Sequence, residues 1–212
     1  MNNKSFFTLF KMDAARWLVP EKIGNPAEVT PLRLAKLLLH HMPLRAMAWF
    51  RLAQWCHRRR LPFLPGSIQR RLLLRYGLEM APSDEIGGGL YIAHPVGCVI
   101  RPGKMGENCS IIAAVTIGMR NEWKFPTFGD RVFIGAGARV LGNITLGKDS
   151  AVGANAVVVK DVPAGVTVVG IPARPLPTKA PEANPPSPQI TAVPHHPQPI
   201  HNKNGARSEV KV

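Results

Sequence analysis

Cysteines are few in this sequence, and long apolar runs are missing. The three cysteines, Cys56, Cys98 and Cys109, are odd in number and form no CxxC pair. This argues against a disulfide framework or a thiolate zinc site, and it is typical of a reducing compartment. The apolar stretch at the N-terminus is short and is broken by Lys11 and Asp13. We therefore expect no signal peptide, no membrane-spanning helix and a cytoplasmic protein.

Acidic residues are also scarce, and their scarcity is local. The 212 residues include 27 Lys and Arg against 13 Asp and Glu, which gives a formal net charge of +14. Between Glu28 and Glu79 there is no acidic residue, while ten Lys or Arg occur, including the run 58–60. Such a segment attracts an anionic membrane surface, an acidic partner or nucleic acid. We expect no nucleic-acid partner, because no recognition motif accompanies the charge.

The chain divides into three zones by pattern. Residues 1–78 predict helices, because apolar side chains recur there at helical spacing and Pro43 and the segment LPFLPG, 61–66, separate successive helices. Residues 176–212 are Pro-rich and without periodicity, which is typical of a disordered tail. Residues 79–175 between them follow a different rule.

The middle zone repeats every six residues. Glycine often follows the repeated apolar position directly. Neither a helix nor an antiparallel sandwich requires this period, whereas a parallel β-helix with one short strand and one turn per hexapeptide does. The sequence therefore predicts a mainly β fold, a parallel β-helix with an N-terminal α-helical region and a disordered C-terminal tail. The repeated residues are Met80, Ile86, Ile92, Met105, Ile111, Ile117, Phe128, Ile134, Val140, Leu146, Val152 and Val158.

Two interruptions break the period. Ile92 and Met105 are 13 positions apart, where 12 would keep step, and Ile117 and Phe128 are 11 apart. The second interval contains GMRNEWKFPT, residues 118–127, which predicts a loop that protrudes from the coils. Insertions of this kind commonly mark the binding face of a repeat protein.

Two stretches carry a family resemblance. VPAGVTVVGIPAR, residues 162–174, is typical of coenzyme A-dependent members, and IGGGLYIAHPVGCVI, residues 86–100, is similar to an I-G-x-G-(apolar)3-D-H-x-x-G motif. In both, the chain resembles the hexapeptide-repeat acyltransferases and, within them, the serine acetyltransferase group. The resemblance extends from about Gly77 to Leu176. It implies a left-handed β-helix, a homotrimer, and acetyl-CoA bound between adjacent subunits. We expect no metal, because a zinc site of three histidines needs more than His94, the only histidine in the repeat region of the sequence.

The resemblance places His94 at the catalytic histidine of the family. Acyl transfer to a hydroxyl needs a base that is active near neutral pH, and imidazole suits that role. Glu79 stands where the family has an Asp in a D-I-H-P stretch, so the resemblance implies that it orients the imidazole. A structural histidine and a solvated charge at the end of the helical zone are the alternatives for these two residues.

The acceptor is suggested by departures from the family pattern. Ala93 stands where serine acetyltransferases have an Asp, Ala81 stands where they have an upstream His, and KFP, residues 124–126, replaces R-H-P. Serine is a small zwitterion that needs charged partners, whereas Phe125 offers an apolar face to a sugar ring. We therefore expect a sugar hydroxyl of polysaccharide biosynthesis as acceptor, with Lys124 and Phe125 as substrate-binding residues. Serine O-acetylation in cysteine biosynthesis is the alternative, and a non-catalytic structural trimer is the second.

The resemblance also implies a coenzyme A site along the later coils. Gly118, Ala136 and Ala154 would lie along the pantetheine arm, with Lys160 and Arg174 near the 3′-phosphate. Small residues at the first three positions also suit the turns of the repeat, so both interpretations stay open.

The basic helices allow three interpretations. In serine acetyltransferases an N-terminal helical region packs trimers together, so the resemblance allows a dimer of trimers. The charge together with Trp49, Phe50 and Trp55 also fits peripheral contact with an anionic membrane. A solvated face is the third interpretation.

Overall fold

The computed structural model describes residues 4–18 and 23–177. The predicted tail lies outside the described residues from position 178 onward. Within residues 4–18 and 23–177 four α-helices precede the strands, and Pro43 lies in the first turn of the third, next to the break that the sequence predicts there. None of the helices within the described ranges is long and apolar enough to cross a membrane. The helices are α1 Phe6–Ala15, α2 Pro31–His40, α3 Met42–Arg58 and α4 Leu64–Tyr76.

Short strands then wind into three sheets. Sheet 1 contains β1, β4, β7, β10 and β13, sheet 2 contains β2, β5, β8 and β11, and sheet 3 contains β3, β6, β9, β12, β14 and β15. All pairs are parallel except β14 with β15. The strands are β1 Leu78–Met80, β2 Glu85–Ile86, β3 Tyr91–His94, β4 Cys98–Ile100, β5 Lys104–Met105, β6 Ser110–Ala113, β7 Thr116–Gly118, β8 Thr127–Phe128, β9 Phe133–Ile134, β10 Arg139–Leu141, β11 Thr145–Leu146, β12 Ala151–Val152, β13 Val157–Val158, β14 Thr167–Val169 and β15 Arg174–Pro175.

The core consists of three columns of inward side chains, one from each face of the coil. No side chain in them is more than 5% exposed. Each buried aliphatic or aromatic side chain contributes roughly 1.5–3 kcal/mol, so the columns supply much of the stability. The predicted hexapeptide-repeat β-helix is confirmed. The columns are Met80, Ile100, Ile117, Val140 and Val158; Ile86, Met105, Phe128, Leu146 and Val162; and Ile92, Ile111, Ile134, Val152 and Val168.

The interruption between Ile92 and Met105 conceals one member of these columns. Ile100 pairs with Met80 on one side and with Ile117 on the other. It follows Ile92 by eight positions and precedes Met105 by five, so a search at a period of six misses it. The corner between sheets 3 and 1 is therefore two residues longer in this coil than in the coils that follow.

A column of stacked glycines forms the corner between sheets 2 and 3. A Cβ atom added to Gly129 would lie 2.6 Å from the backbone nitrogen of Lys148, and one added to Gly118 would meet nothing within 4 Å. We expect Gly129→Ala to lower the free energy of unfolding by about 1–3 kcal/mol, because backbone cannot move aside easily. Gly118→Ala is the matched control, and equal losses for the two variants in denaturant unfolding would contradict the prediction. The column is Gly87, Gly106, Gly129 and Gly147.

A buried ion pair fastens α1 to the first coil. The Asp13 carboxylate accepts hydrogen bonds from Nε and Nη2 of Arg51 at 2.8 and 3.0 Å, and both side chains are fully buried. Asp13 also accepts from the backbone N–H of Leu90 at 2.9 Å, while Arg51 donates to the carbonyl oxygens of Ile86 and Gly87. The pair thus joins α1, α3 and the corner before β3.

Candidate active site

His94 lies at the widened corner between sheets 3 and 1. It ends β3 and its side chain is exposed. Gly97 turns the corner at φ +76° and donates its N–H to the carbonyl oxygen of Gly77 at 2.9 Å. The Cys98 thiol donates to the carbonyl oxygen of His94 at 3.4 Å, which fixes the backbone there. The imidazole is therefore open to a ligand, and the catalytic role of His94 stays a prediction beside the alternative of a structural histidine.

A strip of small side chains runs from His94 along the coil axis. His94 pairs with Ala113, which lies two residues after Ile111. The same ladder joins Ile111 to Ile134 and Ile134 to Val152, so Ala136 and Ala154 occupy the equivalent positions in the next two coils. At about 4.8 Å per strand, the strip is roughly 14 Å long. None of these alanines is buried.

Glu79 lies on β1 of sheet 1, and β1 pairs with β4, the strand that follows the corner of His94. It is half-buried between the buried side chains of Leu78 and Met80 and therefore points outward from the core. The bond from Gly97 to Gly77 brings the two stretches to the same corner. Within residues 4–18 and 23–177, no side-chain hydrogen bond involves the Glu79 carboxylate or the His94 ring. The orienting role of Glu79 stays a prediction.

The candidate acceptor residues and Gly118 lie at a different corner. Gly118 ends β7, and the loop that carries Lys124 and Phe125 leaves from it between sheets 1 and 2. Lys124 pairs with Glu122 at 2.8 Å, and this hydrogen bond raises the pKa of the Lys124 ammonium. His94 lies before the start of a sheet 1 strand, whereas Gly118 and the loop lie at the end of one. Within one chain, His94 and the loop of Lys124 and Phe125 are therefore at opposite ends of the strands of sheet 1.

Arg101 is a side chain of this second corner that no sequence pattern identified. Its guanidinium lies 5.6 Å from the centroid of the Phe125 ring and pairs with Asp84 at 3.2 Å. Burial raises the pKa of the Asp84 carboxyl, and Arg101 opposes the rise. Trp123 meets Phe125 edge to face at 5.8 Å and is 78% exposed. The loop therefore presents an aromatic and cationic surface rather than a purely charged one.

The two basic residues assigned to the coenzyme phosphate are both exposed in the last coil. Lys160 follows β13 toward sheet 2, whereas Arg174 pairs with Val169 on sheet 3. The Arg174 guanidinium donates to the carbonyl oxygen of Ala173 at 3.2 Å. The structure does not bring these two side chains together within one chain.

The remaining chemistry-bearing groups lie away from His94. A cavity of about 720 Å³ between the end of α3 and sheet 2 is lined by Gln54, Glu85 and Lys104 among others, but not by His94. Burial raises the pKa of the Cys109 thiol to about 11, so it is protonated at neutral pH. In the part of the chain that the structure describes, no group of three or more His, Cys, Asp or Glu is arranged to hold a metal ion.

Comparison with known sequences identifies the relatives. Residues 125–160 match the family model described as bacterial transferase hexapeptide (six repeats). The chain is 39% identical over 143 residues to a Helicobacter pylori serine acetyltransferase, covering 66% of this chain and 84% of that protein. It is 38% identical over 143 residues to a Synechococcus elongatus serine acetyltransferase, again covering 66% of this chain but 59% of that longer protein.

Solved structures agree with these relatives. A Neisseria gonorrhoeae serine acetyltransferase in complex with serine aligns with a TM-score of 0.68 at 30% identity, over 81% of this chain and 69% of that one. A serine acetyltransferase in complex with CoA aligns at 0.68 and 28% identity, over 82% of this chain and 71% of that one. The sequence identity, the match to the family model and the shared coil show that this chain belongs to the serine acetyltransferase family of hexapeptide-repeat transferases.

Proposed function

We propose that this protein is an acyltransferase that moves an acetyl group from acetyl-CoA to the hydroxyl of L-serine. The observation that carries the proposal is the exposed His94 imidazole at the head of a strip of small side chains. The serine and CoA complexes of related proteins support both substrates. Relatives named as serine acetyltransferases favour serine over the sugar acceptor expected from the sequence.

His94 acts as the general base. Its free ring nitrogen takes the hydroxyl proton as the serine oxygen attacks the thioester carbonyl. The carbon–sulfur bond then breaks, the acetyl group stays on the serine oxygen, and the imidazolium returns the proton to the departing thiolate. Backbone N–H groups beside the strip are suited to stabilise the negative charge on the carbonyl oxygen. Glu79, when aligned with the other ring nitrogen, holds the imidazole in the productive tautomer.

The strip below His94 is suited to hold the pantetheine arm. Ala136 and Ala154 let an extended ligand approach the backbone closely. They lie two and three coils from His94 along the same ladder. Gly118 offers the same freedom at the other end of sheet 1. Lys160 and Arg174 are exposed cations in the last coil that are suited to the phosphate groups.

A homotrimer would complete the site. His94 and the loop of Lys124 and Phe125 lie at opposite ends of the strands of sheet 1, so each copy supplies one half to a site shared with its neighbour. In a closed ring of three identical copies, every copy makes the same contact with the next one.

Subunit mixing tests this arrangement. His94→Ala and the double variant Lys124→Ala/Phe125→Ala are each expected to lose nearly all activity. When the two are unfolded together and refolded in equal amounts, about a quarter of the sites would combine two intact halves, because each half is intact in half of the copies. Recovery of that fraction of wild-type activity is expected. A mixture no more active than its components would contradict a shared site.

A sugar hydroxyl remains the second candidate acceptor. The stacked Arg101 and Phe125 with the exposed Trp123 form a surface that suits a sugar ring, and Ala93 removes a charge that a zwitterion would use.

Acetyl-CoA consumption should be measured with L-serine, nucleotide sugars and oligosaccharides. We expect kcat/KM for serine to exceed that for any sugar at least tenfold, a difference of about 1.4 kcal/mol in transition-state stabilisation. Ala93→Asp is expected to raise the serine value further. The reverse order would make the sugar the acceptor.

A further inference from the structure

The connection between α3 and α4 brings charge and apolar surface together at one exposed point. This hairpin tip consists of residues 58–64. Its three arginines, Arg58, Arg59 and Arg60, are all exposed. Phe63 is 89% exposed and Leu64 is 50% exposed. The hairpin tip therefore offers an apolar point surrounded by cations.

The backbone holds Phe63 outward in an unfavourable conformation. Phe63 precedes α4 with φ +62° and ψ −36°, and it makes no side-chain capping bond to the helix. Ser, Thr, Asp and Asn are favoured at this position, and a bulky residue at positive φ is strained. Because its ring is almost fully exposed, it gains little from packing within the chain. Such a residue gains its stabilisation when a surface outside the chain covers it.

The charge of the hairpin tip indicates what kind of external surface covers Phe63. There is no acidic residue between Glu28 and Glu79. None of the ion pairs found among the described residues involves Arg58, Arg59 or Arg60. Two copies meeting through this tip would bring arginines against arginines, which opposes self-association. The partner is therefore anionic.

We propose that the hairpin tip docks on the surface of an anionic lipid bilayer. Phe63 and Leu64 enter the boundary between headgroups and acyl chains, and the three arginines contact lipid phosphates. An acidic protein surface would neutralise the arginines but would leave an isolated Phe without an apolar medium to enter. Further exposed basic side chains follow the tip along α4, and they are Arg70, Arg71 and Arg75.

Co-sedimentation with lipid vesicles tests the proposal. The full chain is expected to bind vesicles of phosphatidylcholine mixed with phosphatidylserine, to bind phosphatidylcholine alone weakly, and to be released by high salt. Replacing all three arginines by Gln should weaken partitioning on the order of 100-fold, from about fivefold per basic side chain near an anionic surface. Phe63→Ser/Leu64→Ser should weaken it about tenfold.

A charge-matched control separates the hairpin tip from net charge. Arg120→Gln/Lys148→Gln/Lys160→Gln removes three exposed cations from the coils and should leave vesicle binding within about twofold of the unchanged chain, because those cations lie away from the tip. Circular dichroism checks that every variant is folded. Equal binding to both kinds of vesicle, or equal losses for the tip and control variants, would overturn the proposal. The proposal would also be overturned if the unchanged chain bound no vesicles and the tip variants changed the oligomeric state instead.

Discussion

Replacing His94 by Ala is expected to lower kcat for acetyl transfer by about 10³-fold, within the range that a general base contributes. KM for acetyl-CoA should change little, because the imidazole acts on the hydroxyl proton and not on the coenzyme. His94→Gln should lose as much, since an amide keeps a polar shape without a basic nitrogen. Steady-state kinetics with serine measures both variants.

His57→Ala is the matched control for this prediction. His57 is an exposed histidine on α3, remote from the widened corner, and its replacement should leave kcat unchanged. Full activity of His94→Ala would remove the general base from the mechanism. A wild-type protein that is itself inactive with every acceptor would instead favour the non-catalytic trimer.

Asp13→Ala is expected to lower the free energy of unfolding by about 3–5 kcal/mol, because it leaves the Arg51 guanidinium buried without its partner. The loss should appear as a lower urea midpoint, with α1 released from the first coil. Asp149→Asn is the control: Asp149 forms an exposed pair with Arg131 at 2.6 Å, Asn tolerates its positive φ of 60°, and loss of the charge should move the midpoint little.

A double variant distinguishes pairing from mere proximity. Asp13→Leu/Arg51→Met replaces both charges by apolar side chains of similar size, so no unpaired ion remains in the core. It should recover much of the stability lost in Asp13→Ala. Additive losses in the double variant would mean that the two side chains act independently, contrary to the geometry.

The repeat illustrates how much of the fold follows from sequence. Twelve column residues were predicted from a period of six, and the structure places all of them in the core. Ile100 was missed because the corner before it has two additional residues and the corner after it has one fewer. A search by periodicity finds only positions that follow the six-residue repeat, so it is least informative where the length of a coil is altered. Here the altered corner is the one that carries His94.

The Asp13 and Arg51 pair was beyond sequence reasoning for a different reason. The two residues are 38 positions apart, and nothing in either local pattern marks a buried charge. An Asp in an apolar stretch was interpreted as an interruption, whereas in the folded chain it accepts bonds from a guanidinium and a backbone N–H. A buried Asp13 is favourable only because α1 packs against the coil and brings these donors to its carboxylate.

Sequence alone determined the repeating coil and the loop that interrupts it, because both depend on spacing along the chain. The family resemblance made His94 the candidate base, and that role stays a prediction. The tertiary structure alone decided that His94 is exposed, that an alanine strip continues from it, and that the loop of Lys124 and Phe125 leaves from another corner. The physical reason is that winding the chain brings together residues 16 or more positions apart, such as His94 and Ala113, and separates others that are near in sequence.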